Sequence, residues 1–169
     1  MAGDCVAEMT IDKQALVREL RAAVAREIAV ITLAARSAHA QATHEESRPE
    51  NDKDTRALEA SYLAGAQAER SRELEKVENA LGFLTLRSFG EDDPIALTAI
   101  IELSIDSASQ HYFISPVGGG MRVKVAGVDV QVVTPQSPVG QALLGRTAGD
   151  VVDVKVRQGR RQYEILAVQ

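Results

Sequence analysis

The stretch that decides the fold runs from Thr134 to Val168 and reads TPQSPVGQALLGRTAGDVVDVKVRQGRRQYEILAV. Its first part is a short helix. Ser137 is a good N-cap, Pro138 suits the first helical position, and Gly145 suits the C-terminal stop. Its second part is a closing β-hairpin. Val151, Val152, Val154 and Val156 precede a turn at Gln158-Gly159, and Tyr163, Ile165 and Val168 follow it.

Working back from Thr134, the texture stays β-like. Met121, Val123 and Val125 alternate with polar residues, as do Val128, Val130 and Val132, and Ala126-Gly127 between them is the expected hairpin turn. Tyr112-Phe113-Ile114 is a further short strand, broken by Pro116 and Gly118-Gly119-Gly120. Ile95 to Ile105 and Leu84-Thr85-Leu86 are also expected as strands, joined by the turn-forming SFGEDDP. The second half is therefore expected as a small antiparallel sheet with one short helix packed on a face, an α+β arrangement.

Before Gly82 the composition changes to Ala, Glu, Arg and Leu, and the period changes with it. Val17, Leu20, Val24, Ile28, Ile31, Ala35, Ala38 and Ala42 recur at alternating spacings of three and four, the seam of a coiled coil. Thr10 or Asp12 can cap this helix. THEESRPENDKD, from Thr43 to Asp54, interrupts it, because Pro49 removes an N–H and Asn51-Asp52 favour a turn. A second helix is expected from about Thr55 to Leu81, with Leu58, Tyr62, Ala66, Leu74, Val77 and Leu81 on its apolar stripe. The expected organisation is a tail over 1–10, an antiparallel helical hairpin over 11–81 and a β-rich domain over 82–169. Two arms of roughly 30 residues make a rod of ~45 Å. Its tip gathers Glu45, Glu46, Glu50, Asp52 and Asp54 against Arg48, Lys53 and Arg56. Such a tip is either a solvated loop or a set of carboxylates carried to a distant site, where Mg²⁺ takes oxygen ligands.

Composition removes several function classes. The 169-residue chain has a net charge of -5, which disfavours binding driven by nucleic-acid phosphates, and no specific DNA binding is expected. One cysteine, Cys5, forms no internal disulfide and no zinc cluster. No apolar run approaches the roughly 20 residues of a membrane span, and no signal peptide is visible, so a cytoplasmic location is expected.

The ordered elements Ser137-Pro138-Val139, Leu143-Leu144-Gly145-Arg146, Gly149-Asp150 and Tyr163-Glu164-Ile165 closely resemble the C-terminal signature of the Gre transcript-cleavage factors of bacteria. Glu50-Asn51 is similar to the Glu-Asn of that family's hairpin tip. The resemblance implies an FKBP-like C-terminal domain that binds the rim of the RNA polymerase secondary channel, with Ser137, Pro138 and Val139 at the contact. It implies a coiled coil that passes down the channel. Acidic tip residues would help hold a Mg²⁺ at the polymerase active site and promote cleavage at the nascent RNA 3′ end of backtracked complexes. The polymerase performs the reaction, and the factor has no cofactor of its own. By position, Glu50 is one tip acid. The family's other acid lies three residues earlier, where this chain has Ser47, and Glu46 stands beside it.

Other readings stay open from sequence. One is a related channel-binding regulator that does not stimulate cleavage. Another is a peptidyl-prolyl isomerase, although the chain has few aromatics for the pocket such enzymes use, and fold does not carry function. A third is a structural coiled-coil dimer. Among residues outside the signature, His44 beside the tip acids is read as a surface histidine. Lys155, Arg157, Arg160 and Arg161 surround the last hairpin turn, where they face solvent, an acidic polymerase surface or nucleic acid. Gly118-Gly119-Gly120 is not a phosphate loop, since neither the Lys-Ser/Thr nor the helix follows.

Overall fold

The computed structural model describes residues 10–42, 56–90, 92–106, 108–156 and 159–169. The chain divides into two compact units. One holds Arg21–Phe83; the other holds Leu84–Gln169 together with the chain up to Leu20.

The first unit is helical. α1 spans Lys13–Ala42 and α2 spans Arg56–Gly82. Asp12 starts α1: its carboxylate accepts the Gln14 N–H at 2.8 Å and its carbonyl accepts the Leu16 N–H at 2.9 Å. That satisfies donors which a helix start leaves unpaired. Within Arg21–Phe83 the helices run antiparallel. Arg21 pairs with Glu78 at 2.6 Å, and six residues on, Glu27 pairs with Arg70 at 2.8 Å. These exposed pairs contribute only ~0–1 kcal/mol each, but they bracket buried Val24 and Leu74 and so mark the register. The expected seam fades beyond them. Ile28 and Ile31 are half-buried, while Ala35, Ala38, Leu58, Tyr62 and Ala66 are exposed. Alanine offers little apolar area, so that part of the stripe has little to gain from closure.

The second unit is built on a six-stranded sheet. Its strands are β1 (Ile100–Ile105), β2 (Ala108–Ile114), β3 (Arg122–Val125), β4 (Val128–Val133), β5 (Val151–Val156) and β6 (Gly159–Val168). A short helix, α3 (Pro138–Leu143), lies between β4 and β5 in the chain. The order across the sheet is β3-β4-β2-β1-β6-β5. The sheet is not wholly antiparallel as expected: β4 pairs with β2 in parallel. The cause is topological. The chain leaves β2, places β3 at the outer edge, and returns as β4 between β3 and β2, so β4 runs in the direction of β2.

One face of the sheet carries Ile101, Leu103, Tyr112, Ile114, Val154 and Ile165, which form the main core with Leu143 of α3. The residues between them, Ile100, Phe113, Val130 and Val132, are also buried, on the opposite face. The alternation read from sequence is thus a sheet covered on both sides at its β2–β4 region. The N-terminal arm belongs to this unit as well. Gln169 accepts the Ile11 N–H at 3.3 Å and donates to the Ile11 carbonyl at 3.0 Å.

Leu84–Leu86, expected as a strand, is not one, and β1 begins at Ile100 rather than Ile95. The backbone after Leu86 finds side-chain partners instead of a ladder. The Arg87 N–H donates to Thr98 Oγ1 at 3.0 Å, and Lys13 Nζ donates to the Arg87 carbonyl at 2.6 Å. Lys13 lies 4.5 Å from the Phe89 ring centroid, and the Arg87 guanidinium lies 5.2 Å from it. Burial, and secondarily the Arg87 charge, lower the Lys13 pKa to about 8. Ile95 pairs with the end of α3 and not with a strand: its N–H donates to the Arg146 carbonyl at 2.7 Å and its carbonyl accepts the Gly145 N–H at 2.8 Å.

The β3–β4 turn falls on Ala126-Gly127 as the sequence implies, with φ of 49° and 86°. Both central residues of such a turn need positive φ, which L-alanine tolerates poorly. Ala126→Asn is expected to stabilise the protein by about 1 kcal/mol, since Asn accepts this region far better. Urea unfolding monitored by circular dichroism measures it; a lower midpoint for the variant would contradict the turn geometry.

Candidate functional site

The Ser137–Gly140 corner is assembled around one backbone atom. The Thr134 carbonyl accepts both the Ser137 N–H at 3.0 Å and the Ser137 hydroxyl at 2.7 Å. The same hydroxyl accepts the Gly140 N–H at 3.0 Å, the N-cap bond of α3. Ser137 is therefore committed on both sides. Val139 is half-buried and packs on the main core, and Gly140 is buried. A Cβ at Gly140 would overlap the Thr134 carbonyl oxygen, so only glycine fits there. Pro138 alone of the three expected contact residues presents its ring to solvent.

The rest of the signature has structural work to do. Gly145 ends α3 at φ 75° and bonds back to Ile95. The Asp150 carboxylate accepts the Thr147 N–H at 3.0 Å, and the Gly149 N–H donates to the Ile165 carbonyl at 2.8 Å. Gly149-Asp150 thereby ties the loop before β5 to the middle of β6. Tyr163 and Ile165 are core residues. The sequence pointed to the whole motif; the structure separates its one exposed ring from the parts that shape it. The role of Gly140 was missed, although a glycine three residues after a helix-capping serine is its signal.

The other expected site residues, Glu46 and Glu50, lie outside the described residues, as do Ser47 and His44. Among the described residues, no group of His, Cys, Asp and Glu side chains could hold a metal ion. Among them too, no helix is long and apolar enough to cross a membrane.

Residues 121–169 match the family described as transcription elongation factor, GreA/GreB, C-terminal. That segment therefore resembles the C-terminal domain of the Gre-type transcription elongation factors. The matched segment contains the whole Ser137–Gly140 corner and both strands of the last hairpin. Transcription inhibitor protein Gfh1 of Thermus thermophilus is 25% identical over 118 residues, 70% of this chain and 73% of that protein. Transcription elongation factor GreA of Thermotoga sp. (strain RQ2) is 33% identical over 81 residues. That alignment takes in 46% of this chain and spans about half of the relative's length, 47%. A crystal structure of Gfh1 from Thermus thermophilus aligns over 88% of this chain and 94% of its own at 20% identity, with a TM-score of 0.37, too low to support a fold assignment by itself.

Proposed function

We propose that this protein binds RNA polymerase at the secondary channel and acts on paused or backtracked elongation complexes. Its C-terminal unit docks at the channel rim and its helical hairpin enters the channel. At the tip, Glu50 and Glu46 donate carboxylate oxygens to a Mg²⁺ held jointly with the polymerase, which then cleaves the nascent RNA near its 3′ end. The protein is an accessory factor in this scheme, and the bond-breaking chemistry is the polymerase's own. The observation that carries the reading is the Ser137–Gly140 corner within a matched Gre C-terminal domain: a rigid, fully bonded turn whose outward-facing member is Pro138.

A second reading, channel binding without cleavage, has its own support. Ser47 stands where the family carries an acid, and the similarity to Gfh1, named a transcription inhibitor, takes in 70% of this chain. The isomerase alternative has no comparable support. Tyr112, Phe113 and Tyr163 are buried and do not line an open pocket.

Docking is best tested at Pro138. Ser137→Ala would also remove the α3 cap, at a cost of about 1 kcal/mol, and so would confuse binding with folding. Pro138→Glu keeps the fold, because an acid in the first helical turn is favourable there. It is expected to weaken binding to core RNA polymerase by roughly tenfold, the loss of one central contact of about 1.4 kcal/mol, with an unchanged unfolding midpoint. Equal binding by the folded variant would remove Pro138 from the contact.

A further inference from the structure

The structure's two edge hairpins treat charge in opposite ways. In β3–β4, Lys124 stands directly across from Asp129 and pairs with it at 3.4 Å. In β5–β6, Lys155 stands directly across from Arg160. Directly opposed residues have Cα atoms only about 4.5–5.5 Å apart, and like charges so placed destabilise a sheet. Both side chains are exposed. Neither has a carboxylate within ion-pair distance among the described residues, although Asp153 and Glu164 share that face further along the strands. Arg161, next in β6, adds a third exposed cation at the same end of the hairpin. The hairpin does not force this repulsion, since β3–β4 shows the attractive alternative within one unit. A chain of net charge -5 thus keeps a local knot of positive charge where an acid opposite a base would be more stable.

We infer that the Lys155–Arg160 pair is a docking contact for an acidic protein surface on the polymerase, separate from Pro138; this rests on the polymerase-binding reading. A carboxylate from a partner can lie between the opposed cations and turn their repulsion into attraction at the moment of binding. Nucleic acid fits less well. The aromatic of this hairpin, Tyr163, is buried and offers no face for a base, and the four cations that its sequence carries, Lys155, Arg157, Arg160 and Arg161, on an acidic protein give a small counterion-release term.

Lys155→Glu tests this without a folding ambiguity, because it places an acid opposite Arg160. The variant is expected to unfold at or above the wild-type midpoint, yet to bind core RNA polymerase about tenfold more weakly at low salt, as loss of a rim charge contact does. The difference should shrink at high salt. Lys155→Arg should bind like wild type. Wild-type affinity for Lys155→Glu overturns the inference, and if Pro138→Glu weakens binding at the same time, the docking reading survives without the hairpin. If the wild-type protein fails to bind polymerase at all, that reading falls and takes this one with it. If Lys155→Glu instead abolishes binding to a labelled RNA or DNA oligonucleotide and leaves polymerase affinity unchanged, the partner is nucleic acid and the acidic-protein assignment is wrong.

Discussion

Glu50→Gln is expected to bind RNA polymerase as wild type does and to lose most stimulation of RNA cleavage. A carboxylate serves Mg²⁺ as a hard, anionic oxygen ligand at about 2.0–2.1 Å. Glutamine keeps the size and one oxygen but removes the charge that holds the cation against water. Replacing groups that tune a metal site typically costs 10- to 100-fold, and a loss of that order is expected here. The measurement uses a stalled, backtracked elongation complex with RNA labelled so that 3′-terminal shortening is visible, with and without Mg²⁺. If Glu46→Gln has the larger effect, Glu46 supplies the acid absent at Ser47. If wild type occupies the channel and never shortens the RNA, the cleavage mechanism is excluded and the non-cleaving regulator stands.

Gly140→Ala is expected to be the most destabilising single methyl that can be added to α3. The new Cβ would overlap the Thr134 carbonyl oxygen, a backbone atom already receiving two hydrogen bonds from Ser137. A flexible side chain could swing away; this oxygen cannot move without breaking the α3 cap. Overpacking of this kind costs about 3 kcal/mol or more, which for a unit of this size lowers the melting temperature by roughly 12–24 °C. The exposed neighbour gives the control: Gln141→Ala should stay within about 0.5 kcal/mol of wild type. Polymerase binding should fall with Gly140→Ala too, because Pro138 rides on the same turn. A melting temperature close to wild type would refute the close approach.

Much of this was legible because several signals are local. Ser137-Pro138 and Gly145 mark α3 by capping chemistry, Ala126-Gly127 marks a turn, and valines at every second position mark β3, β4 and β5. What escaped depends on partners distant in sequence. Alternation in Val128–Val132 is the same whether β4 meets β2 in parallel or antiparallel, so the mixed sheet could not be read. Leu84–Leu86 carries an extended pattern, but the backbone that follows bonds to Thr98 and Lys13 side chains, and no strand pairs with it. Ile95 was drawn into β1 by its apolar neighbours, whereas the positive φ of Thr98 breaks the strand there. The heptad named Val17, yet Leu16 is fully buried and Val17 only half so, because a helix whose first turns belong to the β-rich unit answers to more than one packing partner. At the candidate site the motif was visible, while the division of labour within it was not: that Ser137 is spent on the backbone and Pro138 is free emerges only from hydrogen bonds.

The placement of β1 beside β6 also sets an order in time. Within the sheet β1 pairs with β6, Ile101 with Val168, so the core cannot close until β6 has been synthesised and has left the ribosome. At about 5–20 residues per second, the stretch from β1 to β6 takes several seconds to make, during which the apolar face shared by β1 and β2 waits without β6 and α3. Sheets with such distant pairings fold over milliseconds to seconds once complete. The helical hairpin, made first and held by contacts between nearer parts of the chain, can form while the rest is still being translated. Chaperone dependence and aggregation during expression should therefore track changes in β1 and β6 far more than changes in the helices.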